Sequence, residues 1–366
     1  MKTKLEYPEP RTNTKRTNRI IGNFQDKFNS LLTDQKLPLS MLVNILGYGP
    51  ILGVPIEASI FRRLDYCSNF EMLEDAQVLG GALKQIKDGY ITLGIRRLSI
   101  NSVVMQINLV RALRPKRVAQ KKTVLFNTPF DPKSFHYGMP QCDIEVFYSL
   151  QEMDNLTIDL LLNRYPFAPY HFLWVPDRKG EHRQFIDLQR DMVLLEAAYE
   201  LVVGEGPKGS LRLCYNSMGA HASVNHLHFQ GFVITPNWEP PFDRFIQMYI
   251  EKAGNTTGIV PWYLKGTQWI SPFDGVNGLK DFIARMNANE QPYHLYITPY
   301  GVACFPRKHQ GDDHYYQLLA RTEFTTGFAF FEMLGEIVSP TAEVLYACPH
   351  CIDAMITKLY DALSTV

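Results

Sequence analysis

An excess of charge of either sign is missing from this chain. Lys and Arg number 37, and so do Asp and Glu, giving a formal net charge of zero over 366 residues. That balance argues against a general nucleic-acid coat and against an electrostatic membrane binder, while leaving room for a local basic pocket. Cysteine is scarce. Six in a chain this long make no disulfide framework, so reduced thiols and a cytoplasmic setting are expected. The one C-x-x-C, Cys348-Pro349-His350-Cys351, has no second copy to complete a zinc site. No thioredoxin-like βαβ pattern precedes it either, so the pair is read as incidental. No run is apolar enough for long enough to span a bilayer. The polar start, Met1 to Arg16, has no apolar h-region, so no secretory leader is expected. The Gly/Pro-rich stretch from Gly47 to Pro55 lacks the spacing and the Lys-Ser/Thr of a phosphate-binding P-loop and is read as a loop packed on the core.

What is present suits a substantial core, with 46% hydrophobic residues and no extreme bias. Helical patterns run over Ile20–Leu37, Ser68–Lys87 and Asp187–Val203. Alternation predicts a strand over Val103–Val110. A dense basic run follows, from Arg111 to Lys122. It reads as a solvated loop or, alternatively, as a reach toward a diphosphate. Two hairpins come next, Ile158–Asn163 with His171–Val175, and Leu211–Ser217 with the strand ending near Thr235. A further strand-turn-strand spans His294–Pro306. Hairpin, helix, hairpin predicts an α+β fold with antiparallel sheet covered on one side by helices.

The segment Ala222–Phe232, A-S-V-N-H-L-H-F-Q-G-F, carries the chemistry. In a strand, positions two apart share a face, so His226, His228 and Gln230 project together, opposite Leu227 and Phe229. A neutral imidazole is a good nucleophile near pH 7, and its neighbour can hold a tautomer or carry a proton. Gln230 supplies a neutral donor for a phosphoryl oxygen. An isolated H-x-H is also compatible with a surface pair or with two ligands of a structural metal. The small residues Gly219, Ala220 and Ser223 upstream allow close backbone approach to an anion and favour phosphate, so no metal is expected.

These residues resemble the transferase branch of the histidine-triad superfamily, whose motif is H-x-H-x-Q. Further blocks, in order, resemble the GDP-L-galactose and GDP-D-glucose phosphorylases within it: Gln106–Pro115, Pro129–Tyr137, Asn163–Pro176 and Gln291–Arg307. The resemblance implies a galactose-1-phosphate uridylyltransferase-like fold with two related halves. Residues 1–99 then form an N-terminal helical and loop segment packed on the core, 100–240 the catalytic half, and 241–366 a degenerate second half. It implies a nucleotidyltransferase that splits a nucleoside diphosphate hexose, by resemblance a GDP-hexose, with inorganic phosphate and without a cofactor. His228 is the implied nucleophile, His226 orients it or a substrate oxygen, and Gln230 holds a non-bridging oxygen. Asn163, Gly219, Ala220, Ser223 and Asn225 are the implied nucleotide-binding positions, with Arg164 and Arg178 as candidate cations and His221 as a surface residue. By analogy with the superfamily a homodimer is expected. The chain departs from the family at Arg164-Tyr165 and at Pro169-Tyr170, where small residues and a Gly are usual. Two rivals share the motif: a diadenosine polyphosphate phosphorylase, and a nucleotide-binding regulatory protein, which the presence of His228 disfavours.

Overall fold

The computed structural model describes residues 9–11, 14–33, 39–52, 95–100, 103–108, 124–151, 156–206, 208–253, 267–272, 274–309 and 329–339. The expected helix over 68–87, the basic run from Arg111 to Lys122 and the Cys348/Cys351 pair lie outside them.

Among the described residues an eight-stranded antiparallel sheet dominates. Its strands are β3 (Val146–Gln151), β4 (Thr157–Leu162), β5 (Phe172–Pro176), β6 (Leu211–Asn216), β7 (Phe229–Val233), β8 (Gln268–Ile270), β9 (Tyr293–Thr298) and β10 (Gly301–Pro306). Their order across the sheet is β3-β4-β5-β7-β6-β9-β10-β8. A second sheet joins β1 (Ile95–Ile100), β2 (Val103–Asn108) and β11 (Glu336–Ser339). There β1 and β2 are antiparallel, and β11 runs parallel to β2. The parallel pair is possible because the two strands are far apart in the chain and need no tight turn.

Period-2 alternation sorts the large sheet into two faces. Ile158, Leu160, Phe172, Trp174, Leu213, Tyr215, Leu295 and Ile297 point to one of them. Helices α1 (Lys15–Thr33), α3 (Met192–Val203) and α5 (Gly275–Ala288) cover that side. Helix α1 does so with Ile20, Phe24, Phe28 and Leu31, three or four residues apart and hence on one stripe. The opposite face carries packing of its own. Tyr137 and Cys142, the latter in a 3-10 helix over Pro140–Glu145, pack on Leu161, Leu173 and Val175. Further along the same face Phe232 meets Trp238 and Phe331, which belongs to the short helix α6 (Phe330–Met333). Helix α4 (Pro241–Ala253) is tied to this face by a buried pair, Arg212 Nε donating to Asp243 Oδ1 at 2.7 Å.

The Gly/Pro stretch is another difference. Residues 47–52 complete helix α2 (Leu39–Leu52), with Pro50 inside it. Local propensity disfavours such a turn. Tertiary packing overrides it, because Tyr48 is fully buried with its ring edge-on to Phe24 at 5.0 Å and Phe28 at 5.8 Å. Helix α3 begins at Met192 rather than near Asp187. Asp187 and Asp191 are spent on a turn, with Asp187 N donating to Asp191 Oδ2 at 2.8 Å and Gln189 N to Asp187 Oδ1 at 3.0 Å.

Candidate active site

His226 and His228 do not lie in a strand. Ladder pairing of β6 with β7 stops at Cys214↔Gln230, and β7 begins at Phe229. The alternation nonetheless survives through the irregular stretch. Leu227 and Phe229 enter the helix-covered core, with Phe229 against Trp174 at 5.2 Å and Tyr215 at 5.3 Å. His226 and His228 turn to the other side, where the Tyr137 ring stacks on His226 at 5.9 Å and meets His228 edge-on at 5.0 Å.

Each imidazole has one nitrogen engaged by backbone, and the two engagements are opposite. The peptide N–H of Tyr137 donates to His226 Nδ1 at 3.0 Å. A neutral His226 therefore carries its proton on Nε2. His228 Nδ1 lies 2.7 Å from the carbonyl oxygen of His226, which can only accept. That puts the proton on Nδ1 and leaves the Nε2 lone pair of His228 for attack. Both rings stay neutral at pH 7. Burial pushes His228 down to about 4, with the His226 carbonyl acting in the opposite direction. Burial, followed by the neighbouring His228, His136 and His182, pushes His226 down to about 3.

Gln230 is the first motif residue within the ladder, and it meets His171 from the start of β5. Phe167 N lies 3.4 Å from His171 Nδ1, and His171 Nε2 lies between two side-chain amides, so as an N–H it donates to Gln230 Oε1 at 3.0 Å and as a lone pair it accepts from Asn163 Nδ2. In the Nε2–H tautomer of His171 the Gln230 oxygen is occupied, and the amide keeps its N–H donors for a ligand. Asn163 Nδ2 lies 3.1 Å from the same His171 nitrogen, and Asn163 Oδ1 accepts from Tyr165 N at 2.9 Å. Asn163, His171 and Gln230 thus form one polar row beside the histidine pair. The Tyr48 hydroxyl holds this row from beneath, donating to the His171 carbonyl and accepting from Asn163 N at 2.8 Å. Sheet β1-β2-β11 braces the connection between β4 and β5. Gln106 Nε2 donates to Phe167 O at 2.9 Å and Asn108 Nδ2 to Pro166 O at 3.2 Å. Tyr170 stands at φ 51, a conformation that favours glycine; burial of its ring against Phe24 at 5.4 Å offsets that strain.

The remaining sequence candidates fall in different places. Gly219 is at φ +77, where a Cβ would lie 2.9 Å from Pro292 Cγ and 3.4 Å from His309 Nδ1. Ala220 is buried, its N–H bonded to Ser217 O at 3.1 Å. Ser223 is exposed. The Asn225 side chain is committed to backbone, accepting from Gln184 N at 3.0 Å and donating to Thr128 O at 3.2 Å and Pro129 O at 2.7 Å. Neither candidate arginine points a spare charge at the site. Arg164 is paired with the buried Glu145, and Arg178 with Asp159 at 2.6 Å and Asp143 at 2.8 Å. Arg178 serves the site indirectly, donating from Nη1 to the Tyr137 carbonyl at 3.0 Å. Among the described residues no group of three His, Cys, Asp or Glu could hold a metal ion, and no helix is long and apolar enough to cross a membrane.

Sequence reasoning missed Gln184, Tyr48 and Tyr137 as parts of this site. Tyr137 carried a signal, since it ends the Pro129–Tyr137 block; Gln184 and Tyr48 lie in no motif.

The motifs point the same way as comparison with known proteins. Residues 95–232 match the family model described as GDPGP1-like, N-terminal domain. The chain is similar to GDP-D-glucose phosphorylase 1 of Danio rerio, 26% identical over 131 residues covering 36% of each protein. It is similar to GDP-D-glucose phosphorylase 1 of Macaca fascicularis, 31% identical over 139 residues, 36% of this chain and 34% of that protein. The match thus spans about a third of the length of these curated relatives. Among solved structures, yeast Ap4A phosphorylase Apa2 in complex with Ap4A aligns with a TM-score of 0.47 at 13% identity, over 76% of this chain and 92% of that one. The likeness to GDP-D-glucose phosphorylases is thus shown over part of the chain, with the family model on residues 95–232.

Proposed function

We propose that this protein is a nucleotidyltransferase that cleaves a GDP-hexose with inorganic phosphate, giving GDP and hexose 1-phosphate. The observation that carries the reading is the tautomer of His228: a buried, neutral imidazole with Nδ1–H held by the His226 carbonyl and an Nε2 lone pair left over. The lone pair forms a P–N bond to the α-phosphorus, and the bond to the bridging oxygen breaks. That oxygen keeps the electron pair and departs with the hexose 1-phosphate. The nucleotidylated ring is cationic, and its Nδ1–H bond to the His226 carbonyl strengthens as a charge-assisted bond. A phosphate oxygen then attacks the same phosphorus, the P–N bond breaks, and GDP leaves with His228 restored. One side chain serves both halves of the substitution.

Donors placed before the reaction stabilise charge on the phosphoryl oxygens. The Gln230 amide, oriented by His171, and the His226 Nε2–H fit that role. The guanine nucleotide and the hexose are inherited from the similar proteins named above. The same proposal takes residues 100–240 as the catalytic half and 241–366 as a second half. The sheet order supports it: residues 100–240 supply the contiguous block β3-β4-β5-β7-β6, and residues 241–366 supply β9-β10-β8. The buried free thiols of Cys142, Cys214 and Cys304 support a reducing, cytoplasmic setting.

The test is phosphate-dependent turnover of a panel of nucleoside diphosphate sugars and dinucleoside polyphosphates, wild type against His228→Ala, with released nucleotides separated by chromatography. GDP release that requires phosphate and disappears in the variant upholds the reading. Turnover of dinucleoside polyphosphates alone reassigns the substrate, and turnover unchanged by the substitution removes His228 from the chemistry.

A further inference from the structure

Gln184 occupies an unusual place. It is 1% exposed and lies where the β6–β7 ladder ends. Beyond Cys214↔Gln230 the same register would oppose Tyr215 to Phe229 and then Asn216 to His228, and neither is a ladder pair. The Gln184 side chain is inserted between Asn216 and His228. Its Oε1 accepts from His228 N at 2.8 Å, and its Nε2 donates to His228 O at 3.0 Å and Asn216 O at 2.8 Å. The insertion is itself anchored: Gln184 N donates to Asn225 Oδ1 at 3.0 Å, and its carbonyl accepts from Tyr215 Oη at 3.2 Å.

We propose that Gln184 is a positioning residue that aims the His228 imidazole by clamping the peptide groups on both sides of its Cα. This rests on His228 being the nucleophile. Fixing both the N–H and the C=O of one residue removes freedom in φ and ψ together, and so sets the direction of the Cα–Cβ bond. The short reach from His228 Nδ1 to the His226 carbonyl, 2.7 Å, depends on that direction. If the ring swings away, the proton is free to move to Nε2 and the nucleophilic lone pair is lost. A side-chain amide is suited to the clamp because it offers an acceptor and two donors at once. A carboxylate would face two carbonyl oxygens, and a leucine would leave three buried backbone groups without partners. The wedge also explains why the motif histidines leave the sheet: ladder pairing there would let residue 228 follow β6, whereas the inserted amide holds it apart.

The measurement is histidine nitrogen NMR on the 15N-labelled full chain, beside kinetics. In the wild type, His228 shows a protonated Nδ1 and a bare Nε2 between pH 5 and 8, and its peptide N–H exchanges slowly with solvent. Gln184→Leu moves both nitrogen shifts toward the averaged values of interconverting tautomers. It lowers kcat about 10²-fold, as a displaced nucleophile does, with KM for the nucleotide sugar changed less than about 3-fold. Gln184→Asn, which keeps the amide but is one methylene shorter, gives the same direction and serves if the leucine variant does not fold. Wild-type nitrogen shifts in either folded variant overturn the proposal, and so does rapid exchange of the His228 N–H in the wild type. The shifts and the exchange need no substrate. A protein inactive on every nucleotide sugar therefore sinks the phosphorylase reading without deciding this one.

Discussion

Two buried histidines stand on the same face of the sheet, on either side of Asn216, and only one is built to react. His294 on β9 is the ladder partner of Asn216, and His228 lies across from Asn216 with the Gln184 amide between them. Burial pushes both below the ordinary histidine range, His228 to about 4 and His294 well below 6.5. Their neutrality is therefore shared and cannot be the difference. The difference is which nitrogen the protein occupies. His228 gives its Nδ1 proton to a carbonyl and retains the Nε2 lone pair. His294 meets the Arg307 guanidinium at Nε2, and a guanidinium only donates, so that lone pair is taken. The proton is left on Nδ1, which is buried without an acceptor among the described residues. A neutral imidazole becomes a nucleophile when the backbone accepts a hydrogen bond from its N–H and leaves its lone pair alone.

The strongest way to break this comparison is to exchange the losses. His228→Ala is expected to lower nucleotide release on the order of 10⁴-fold or more, as removal of a covalent nucleophile does. His294→Asn should leave kcat within about 3-fold while lowering the melting temperature. Equal losses of activity in the two variants would place both histidines in the reaction. Next in size is Gln230→Glu, which replaces the amide donors by a carboxylate facing phosphoryl oxygens. A fall in kcat of about 10²- to 10³-fold is expected, the scale for losing a preorganised donor.

Arg307→Met tests the other member of the pair. It removes the donor from a buried imidazole nitrogen, and a loss of about 2–4 kcal/mol in urea unfolding is expected, with kcat little changed in the folded fraction. The pH dependence sharpens the comparison further. His228 has a folded value near 4 against 6.5 for an unburied ring, so between those values the unfolded chain binds the extra proton. His228 thus costs no stability above about pH 6.5, and stability falls as pH drops from there toward 4. The free enzyme keeps its nucleophile neutral over the same window. The acid limb of kcat/KM is expected near pH 4, followed with intrinsic fluorescence to separate it from unfolding. A limb near 6.5 would mean that His228 is solvated in the working enzyme. The smallest effect is expected at the exposed Ser223, where Ser223→Ala should change kcat/KM less than about 3-fold.

The β4–β5 and β9–β10 hairpins were legible because their alternation and turn residues are local, and the observed strands lie within about a residue of those expected. The motif face was legible for the same reason, even though His226 and His228 proved to lie outside the strand. Helix α2 was not, because Tyr48 stabilises it through rings of α1 and through the polar row at His171, contacts with no local signature. Arg164 and Arg178 were misjudged because a cation near a motif looks available until its carboxylates are seen. Glu145, Asp143 and Asp159 supply them from other parts of the chain.

From the order of residues alone came the side on which the chemistry sits. A period of two puts His226, His228 and Gln230 opposite Leu227 and Phe229, and apolar burial settles which side turns inward. Only the tertiary structure decided what each of those side chains can do. The proton on His226 is placed by a peptide N–H from Tyr137, 89 residues earlier, and the direction of His228 by an amide from Gln184, 44 residues earlier. The free donors of Gln230 follow from His171, 59 residues away. Tautomer and aim depend on single hydrogen bonds from distant segments, and no local pattern in the chain encodes where those segments arrive.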